Sequence, residues 1–341
     1  MHSKPARPRA TGRTTLADVA HAAGVSPITV SRALRGERAV DPALVERVRA
    51  AADKLGYVPD PAARALASRQ GTQVPLLVPA LANALFVDLL EAAQETLAAA
   101  GYQTLIGVTH YDPAEEEHLL RSHLMHRPPG LLVTGFDRSA ATERLIASSG
   151  APCVHLMETS DLPGVHSVGM SQRDAGRAMT EHLLAGGHKR IAFAAAQLDP
   201  RTLQRLEGWR DAMRHARLHT PVLEWLNPQP SSIALGGVMF EQIVGQTPPV
   251  DAIFFCNDDL AQGALLAALR LGIQVPQRVA VAGFNDLTGS DQMVPPLTTI
   301  RTPRAEMGQQ AARMLVQLMR GESVEKRCVD LGFEVVVRGS T

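Results

Sequence analysis

Cysteine is scarce in this sequence: three residues in 341, Cys153, Cys256 and Cys328, with no CxxC pair among them. An odd, scattered set neither staples a small fold nor builds a zinc ribbon, so reduced thiols in a cytoplasmic protein are expected. Long apolar runs are missing too. Stretches such as 251–256 are far too short to span a bilayer. The opening MHSKPARPRATGR is basic and Pro-rich, without the apolar segment of a secretion signal. Aromatics amount to only 4%, but 45% of residues are apolar, which is ordinary for a folded chain and excludes disordered and collagen-like classes.

Catalytic signatures are equally absent. The sequence has no GxxxxGK[ST] phosphate loop, no GxSxG elbow and no HExxH pair. His118, His123 and His126 cluster without a cysteine or carboxylate at ligand spacing, so they read as a solvated helix face. Cys256 has no activating histidine in a familiar pattern and reads as a small apolar strand end. No metal and no cofactor are expected, and no enzyme.

Net charge is zero, 34 basic against 34 acidic residues, but it is divided. Residues 1–70 carry 12 Lys/Arg and 6 Asp/Glu, and the remaining 271 carry 22 and 28. A basic end on an acidic body suits a polyanion bound at one end, although a solvated basic tail has the same arithmetic.

Helix signals crowd that basic end. Thr15 is a good N-cap with Asp18 three positions on, Leu16, Val19, Ala20 and Ala23 follow at helical spacing, and Gly24 supplies a left-handed stop. Ser26-Pro27 opens a second helix, and Asp41-Pro42 a third that closes at Gly56. Two short helices joined through Gly-Val-Ser and braced by a third make a helix-turn-helix. The second helix turns Pro27, Ile28, Thr29, Ser31 and Arg32 outward, groups fit for a major groove. Arg32 and Arg35 can meet base edges or phosphates. After Pro59 the run Asp60-Pro61-Ala62-Ala63-Arg64-Ala65-Leu66 could be helical, but helices below ~12 residues are marginal alone in water. Such a linker is a conformational switch or a plain inter-domain helix.

From Val74 onward, short apolar runs alternate with helical patterns. Strands are expected at 74–78, 104–108, 130–134, 153–156, 190–194, 251–255 and 279–283. Helices fall near 86–99, 114–125, 139–148, 173–185, 202–216, 232–244, 259–270 and 304–319. The alternation implies doubly wound parallel α/β sheets, and about 270 residues suit two lobes better than one. Ligands in such folds sit beyond the carboxyl ends of strands. That rule selects Asn257 and Asp258, Asn285 and Asp286, the helix after Asp199 bearing Arg201 and Arg205, and Asn83 with Phe86. Two guanidiniums, amides, carboxylates and an aromatic wall suit a polyhydroxylated ligand with a carboxylate. Each residue has a plainer reading as well: Asp258 a helix cap, either arginine a surface ion pair, Phe86 core.

The run from Thr15 to Arg32 and the segment Lys54-Leu-Gly-Tyr57-Val-Pro59 resemble the DNA-binding head of lactose-repressor-type regulators, and the resemblance continues over nearly the whole chain. It implies a basic arm (1–13), a helix-turn-helix domain (14–58), a hinge helix (59–71) and a two-lobed periplasmic-binding-protein-like sensor (72–341). The N-lobe would comprise about 72–168 and 302–331, the C-lobe about 169–301 and 332–341. It also implies a homodimer on a pseudo-palindromic operator, with Thr15, Ser26–Thr29, Ser31, Arg32, Arg35 and Tyr57 at the DNA. Leu66 would wedge into the central minor-groove step, and Ala63 would face the partner hinge.

In the sensor, Arg205-Leu-Glu-Gly-Trp209 matches the family's effector segment, and Asn257-Asp258 its strand-end pair. Asn285 stands where sugar-binding relatives often carry Asp. Leu156-Met157-Glu158, Leu198-Asp-Pro-Arg-Thr202, Thr302–Gly308 and Asp330-Leu-Gly-Phe333 are most similar to the gluconate-operon branch, which adds Met157 and Glu158 to the effector set. The implied effector is a gluconate-type sugar acid that releases the regulator from its operator, with 2-ketogluconate, a phosphorylated sugar acid or a neutral sugar as alternatives. With no leucine-heptad tail after the last strand, a dimer rather than a tetramer is expected.

Overall fold

A computed structural model describes residues 14–34, 40–58, 71–81 and 84–341. The arm, Arg35, hinge residues 59–70 with Ala63 and Leu66, and Asn83 lie outside the described residues. Two compact units divide the chain after Gly71.

The first unit holds α1 (Leu16–Ala23), α2 (Pro27–Leu34) and α3 (Pro42–Lys54). Thr15 donates its N–H and hydroxyl to the Asp18 carboxylate at 2.8 and 2.6 Å, closing the capping box. Gly24 stops α1 at φ +64°, conformational space that costs a glycine little. Ser26 Oγ accepts the Thr29 N–H at 3.2 Å, and Asp41 accepts that of Ala43 at 2.8 Å, so each later helix begins at its expected cap. Val19, Ala20, Ala23, Val30, Ala33, Val48 and Ala52 form a small core between them, with Tyr57 packed against it.

The second unit carries two parallel sheets. β1 (Gln73–Val78), β2 (Gln103–Val108), β3 (Leu131–Thr134), β4 (Cys153–Met157), β5 (His166–Gly169) and β11 (Cys328–Asp330) form the N-lobe sheet in the order β11-β5-β4-β3-β1-β2. Strands β6 (Ile191–Ala196), β7 (Glu224–Asn227), β8 (Ala252–Phe255) and β9 (Ala280–Ala282) form the C-lobe sheet in the order β7-β6-β8-β9. β10 (Thr299–Arg301) and β12 (Glu334–Val336) pair antiparallel. The chain thus passes between the sheets three times, after β5, after β10 and after β11.

Every residue of β6 is buried, as befits a strand covered by helices on both faces. The N-lobe helices are α4 (Leu85–Ala99), α5 (Pro113–Leu124), α6 (Ala140–Ser149) and α11 (Arg304–Met319). The C-lobe helices are α7 (Gln172–Ala185), α8 (Pro200–His215), α9 (Ile233–Val244) and α10 (Asp258–Leu271). α7 packs on α8 at backbone distance: a Cβ at Gly176 would lie 2.4 Å from the Arg205 carbonyl oxygen. Phe86 belongs to the apolar stripe of α4 with Leu85, Leu89, Leu90, Ala93 and Leu97, and it is 1% exposed. Among the described residues, no helix is long and apolar enough to cross a membrane.

Candidate functional site

Strand ends of both sheets meet at one junction between the lobes, joined by side-chain contacts across it. β3 and β4 deliver Asp137 and Glu158 from the N-lobe. β8 and β9 deliver Cys256, Asn257, Phe284 and Asn285 from the C-lobe, and the start of α8 delivers Arg201 and Arg205. Asp199 caps α8 by accepting the N–H groups of Arg201 and Thr202 at 3.0 and 3.3 Å, which fixes where both arginines leave the helix.

The two guanidiniums have opposite surroundings. Arg201 is surrounded by acids: Asp137 at 3.0 Å, Glu158 at 3.3 Å and Asp199 at 3.3 Å. Burial pushes its pKa down, but the three carboxylates outweigh burial and raise it above the ordinary value. Its Nη2 is buried without a hydrogen-bond partner among the described residues. Gly135 makes room for this cluster. At φ +64°, a Cβ there would stand 2.3 Å from Arg201 Nη1 and 2.7 Å from Glu158 Oε2. Gln204 adds a second tie across the lobes, donating to Glu158 Oε1 at 2.6 Å.

Among the described residues, the groups in direct contact with Arg205 are neutral. It donates from Nε to Gln172 Oε1 at 2.9 Å and from Nη1 to the Cys256 carbonyl at 2.7 Å, and lies 3.7 Å over the Phe284 ring. It is 4% exposed, with no carboxylate at ion-pair distance among the described residues. Burial lowers its pKa, only partly opposed by Asp199. A buried cation without its counter-charge is costly unless something else supplies that charge.

Met157, Asn257 and Asn285 are buried beside the contacts of these two arginines. Met157 ends β4 at φ +77° and its carbonyl accepts from Gln172 Nε2 at 3.1 Å. Asn257 caps α10, accepting the Leu260 N–H at 3.1 Å, and its amide donates to Ser231 Oγ at 2.8 Å. Asn285 is 1% exposed at φ +114°, and its Oδ1 accepts from Thr302 at 3.3 Å.

Two sequence readings need correction. The ring that meets a guanidinium is Phe284, not Phe86, because the α4 stripe turns Phe86 into the N-lobe core. Asp258 neither caps α10 nor faces the cleft. It is fully buried, its oxygens taken by the Leu287 N–H at 2.7 Å, Ser290 Oγ at 3.0 Å and Thr299 Oγ1 at 2.6 Å. Burial pushes its pKa up to about 6 against those three stabilising bonds. The strand-end rule reaches Asp137 and Phe284 too, since each follows an expected strand, β3 or β9. Gln172 and Gln204 sit inside helices, where no sequence signal marks them.

In the first unit, Ser26, Pro27 and Arg32 are exposed along with Ile28, which is 67% exposed, while Val30 and Ala33 face the core. Thr29 and Ser31 are half-buried, with Thr29 Oγ1 2.8 Å from Ser26 Oγ. Thr15 is committed to its capping box.

Residues 15–60 match the model of bacterial regulatory proteins of the lacI family, and residues 180–341 match a periplasmic binding protein-like domain. The HTH-type transcriptional regulator GntR of Pseudomonas aeruginosa is 54% identical over 98% of this chain and 97% of its own length. The chain belongs to the lacI family of bacterial regulatory proteins. It is a DNA-binding transcriptional regulator of the GntR branch. The Escherichia coli regulator GntR is 36% identical over 96% of the chain and 98% of its own length. A crystal structure of GntR from Chromobacterium violaceum is 47% identical, covers 79% of this regulator and 98% of the solved chain, and superimposes with a TM-score of 0.77. The lac repressor dimer bound to operator is 27% identical at a TM-score of 0.84, covering 96% of this regulator and 99% of the solved chain.

Proposed function

We propose that this regulator is a repressor of sugar-acid catabolism genes and that a gluconate-type aldonate is its effector. Binding of the acid releases the protein from a pseudo-palindromic operator. The observation that carries the reading is Arg205, a buried guanidinium with no carboxylate partner among the described residues. An aldonate supplies that missing charge, and the aromatic face of Phe284 holds the guanidinium plane for a two-pronged contact. Arg201 is already neutralised, so the ligand's carboxylate belongs on Arg205. The Asp137 and Glu158 oxygens and the Asn257 and Asn285 amides then serve the hydroxyls. Asparagine at 285 spares the ligand a repulsion that a carboxylate there would create.

On the DNA side, α2 would enter the major groove, two copies per operator, with Arg35 at the DNA and the hinge residues Ala63 and Leu66 in the minor groove between them. Exposed apolar residues on α9 and α10, Val238 at 52%, Leu266 at 41% and Leu269 at 64%, support a homodimer that covers them. The protein works in the cytoplasm, where operator and metabolite meet, without chemistry of its own. The buried Cys256 thiol beside the cleft is pushed up to about 11 by burial, which suits packing rather than attack.

Isothermal titration of the full chain with gluconate, 2-ketogluconate, 6-phosphogluconate and glucose tests the proposal. Binding of one acid, weakened at least about tenfold in Arg205→Gln, is the expected result. Binding of neutral glucose alone overturns the carboxylate reading. Release is then read as the change in operator affinity at saturating acid, about 1–3 kcal/mol for such coupling, and reciprocity requires operator to weaken acid binding equally.

A further inference from the structure

Arg304 opens α11 in the N-lobe, yet its guanidinium serves both lobes. Nε and Nη2 donate to one oxygen of Asp88, in the first turn of α4, at 3.0 and 2.8 Å. Nη1 donates to the Asn285 carbonyl, and Nη1 and Nη2 both reach the Asp286 carbonyl at 3.4 Å. Those two carbonyls belong to the segment that follows β9 in the C-lobe.

That segment is unusual. Asn285 and Asp286 are consecutive residues at φ +114° and +52°, and neither is a glycine. Such backbone persists only where its surroundings over-determine it. Here the Asn285 N–H is held by the Ile300 carbonyl at 2.8 Å, and the Asp286 carboxylate by Arg301 at 2.9 Å and Arg338 at 2.8 Å. Arg304 holds the carbonyl side, and of these groups it is the one that also grips an N-lobe carboxylate.

We infer that Arg304 and Asp88 form a positioning pair that ties the strained Asn285–Asp286 strand end to helix α4, so that a change at the effector side of the cleft moves the N-lobe. The pair does not touch the effector. Asn285 is placed in the cleft by the proposed effector site, and the inference rests on that reading for its role in regulation. The tie itself stands on geometry alone. Arg304 is 11% exposed and Asp88 47%, so Asp88 can be changed without opening a cavity, while the guanidinium loses its anchor. A neutral amide at 88 keeps the size and weakens a charge-assisted double contact.

Hydrogen exchange by mass spectrometry on the full chain reads the tie. In Asp88→Asn without ligand, amides of 284–287 in the C-lobe exchange at least about threefold faster, together with the first turn of α4. Asp88→Glu, which keeps the charge, recovers most of the protection. Gluconate then slows exchange in both segments of the native protein but only in 284–287 of Asp88→Asn, an uncoupling that a merely local role for Asp88 would not produce. Faster exchange confined to α4, with 284–287 unchanged, overturns the inference. If titration shows that gluconate does not bind the native protein, the effector reading falls. The ligand-free comparison still decides whether the tie exists.

Discussion

Gly176→Ala tests how the sensor positions Arg205. Gly176 lies mid-helix in α7, and an added Cβ would stand 2.4 Å from the Arg205 carbonyl oxygen and 2.9 Å from its Cα. Ordinary contact begins near 3.4 Å, so α8 must retreat by about 1 Å, since neither obstacle is a flexible side-chain end. Overpacking of this kind costs about 1–3 kcal/mol. Alanine's better helix propensity returns at most ~1 kcal/mol. With the full return the net loss is up to about 2 kcal/mol, or a few degrees in melting temperature for a unit of this size. The same retreat draws Arg205 away from Gln172, one turn earlier on α7, and from the Cys256 carbonyl, so gluconate affinity falls at least about tenfold, as misplacements near 1 Å do. Gly237→Ala is the control: it also lies mid-helix, but its Cβ would meet nothing closer than 3.4 Å, so it should stabilise by up to ~1 kcal/mol. Urea unfolding and titration measure both variants. A Gly176→Ala protein as stable as the native one, with unchanged acid affinity, would refute the argument that close helix approach sets the arginine.

Asp258 gives a pH signature. Its ordinary pKa of 3.8 is raised to about 6 in the folded protein, so the folded state holds the proton longer than the unfolded chain. The stability this contributes is full below pH 3.8 and is lost as pH rises through about 6. Relative to Asp258→Asn, whose amide can keep Thr299 and Leu287 as partners, native stability should fall between about pH 4 and 6, by no more than ~3 kcal/mol. A constant difference across that range would show that Asp258 ionises freely. On the DNA side, Ile28 can offer only apolar contact, and in the major groove that means a thymine methyl. Replacing the matching thymine by uracil in an operator recovered by selection should cost the native protein about 1 kcal/mol and Ile28→Ala nothing. Equal losses in the two proteins would remove Ile28 from base reading. Leu66→Ala should weaken operator binding while acid binding stays intact, and unchanged operator affinity in a titration would reject the wedge.

Local signals carried the DNA-binding head and most of the sensor's elements. Thr15 with Asp18, Ser26 before Pro27 and Asp41 before Pro42 each satisfy backbone N–H groups within three residues, so sequence alone sets those helix starts. The buried parallel strands β1, β6 and β8 were legible because helices on both faces demand continuous apolar runs. β5, β7, β10, β11 and β12 were not among the expected strands. They are three or four residues long and mix polar side chains such as His166, Glu224 and Arg301 with apolar ones, so no period develops. Their pairing is decided by partners distant in the chain, as when β11 joins β5 with Cys328 opposite Ser167.

The cleft divides along the same line. The sequence determined which residues end the strands, and hence that two arginines, two asparagines and several acids would gather. Only the tertiary structure decided which arginine is already neutralised. Arg201 meets Asp137 and Glu158, 64 and 43 residues away, whereas Arg205 meets an amide, a carbonyl and a ring. Four residues apart on one helix, the two are equivalent by spacing. Charge balance in a buried site depends on what approaches from other elements, and short-range spacing holds no record of that.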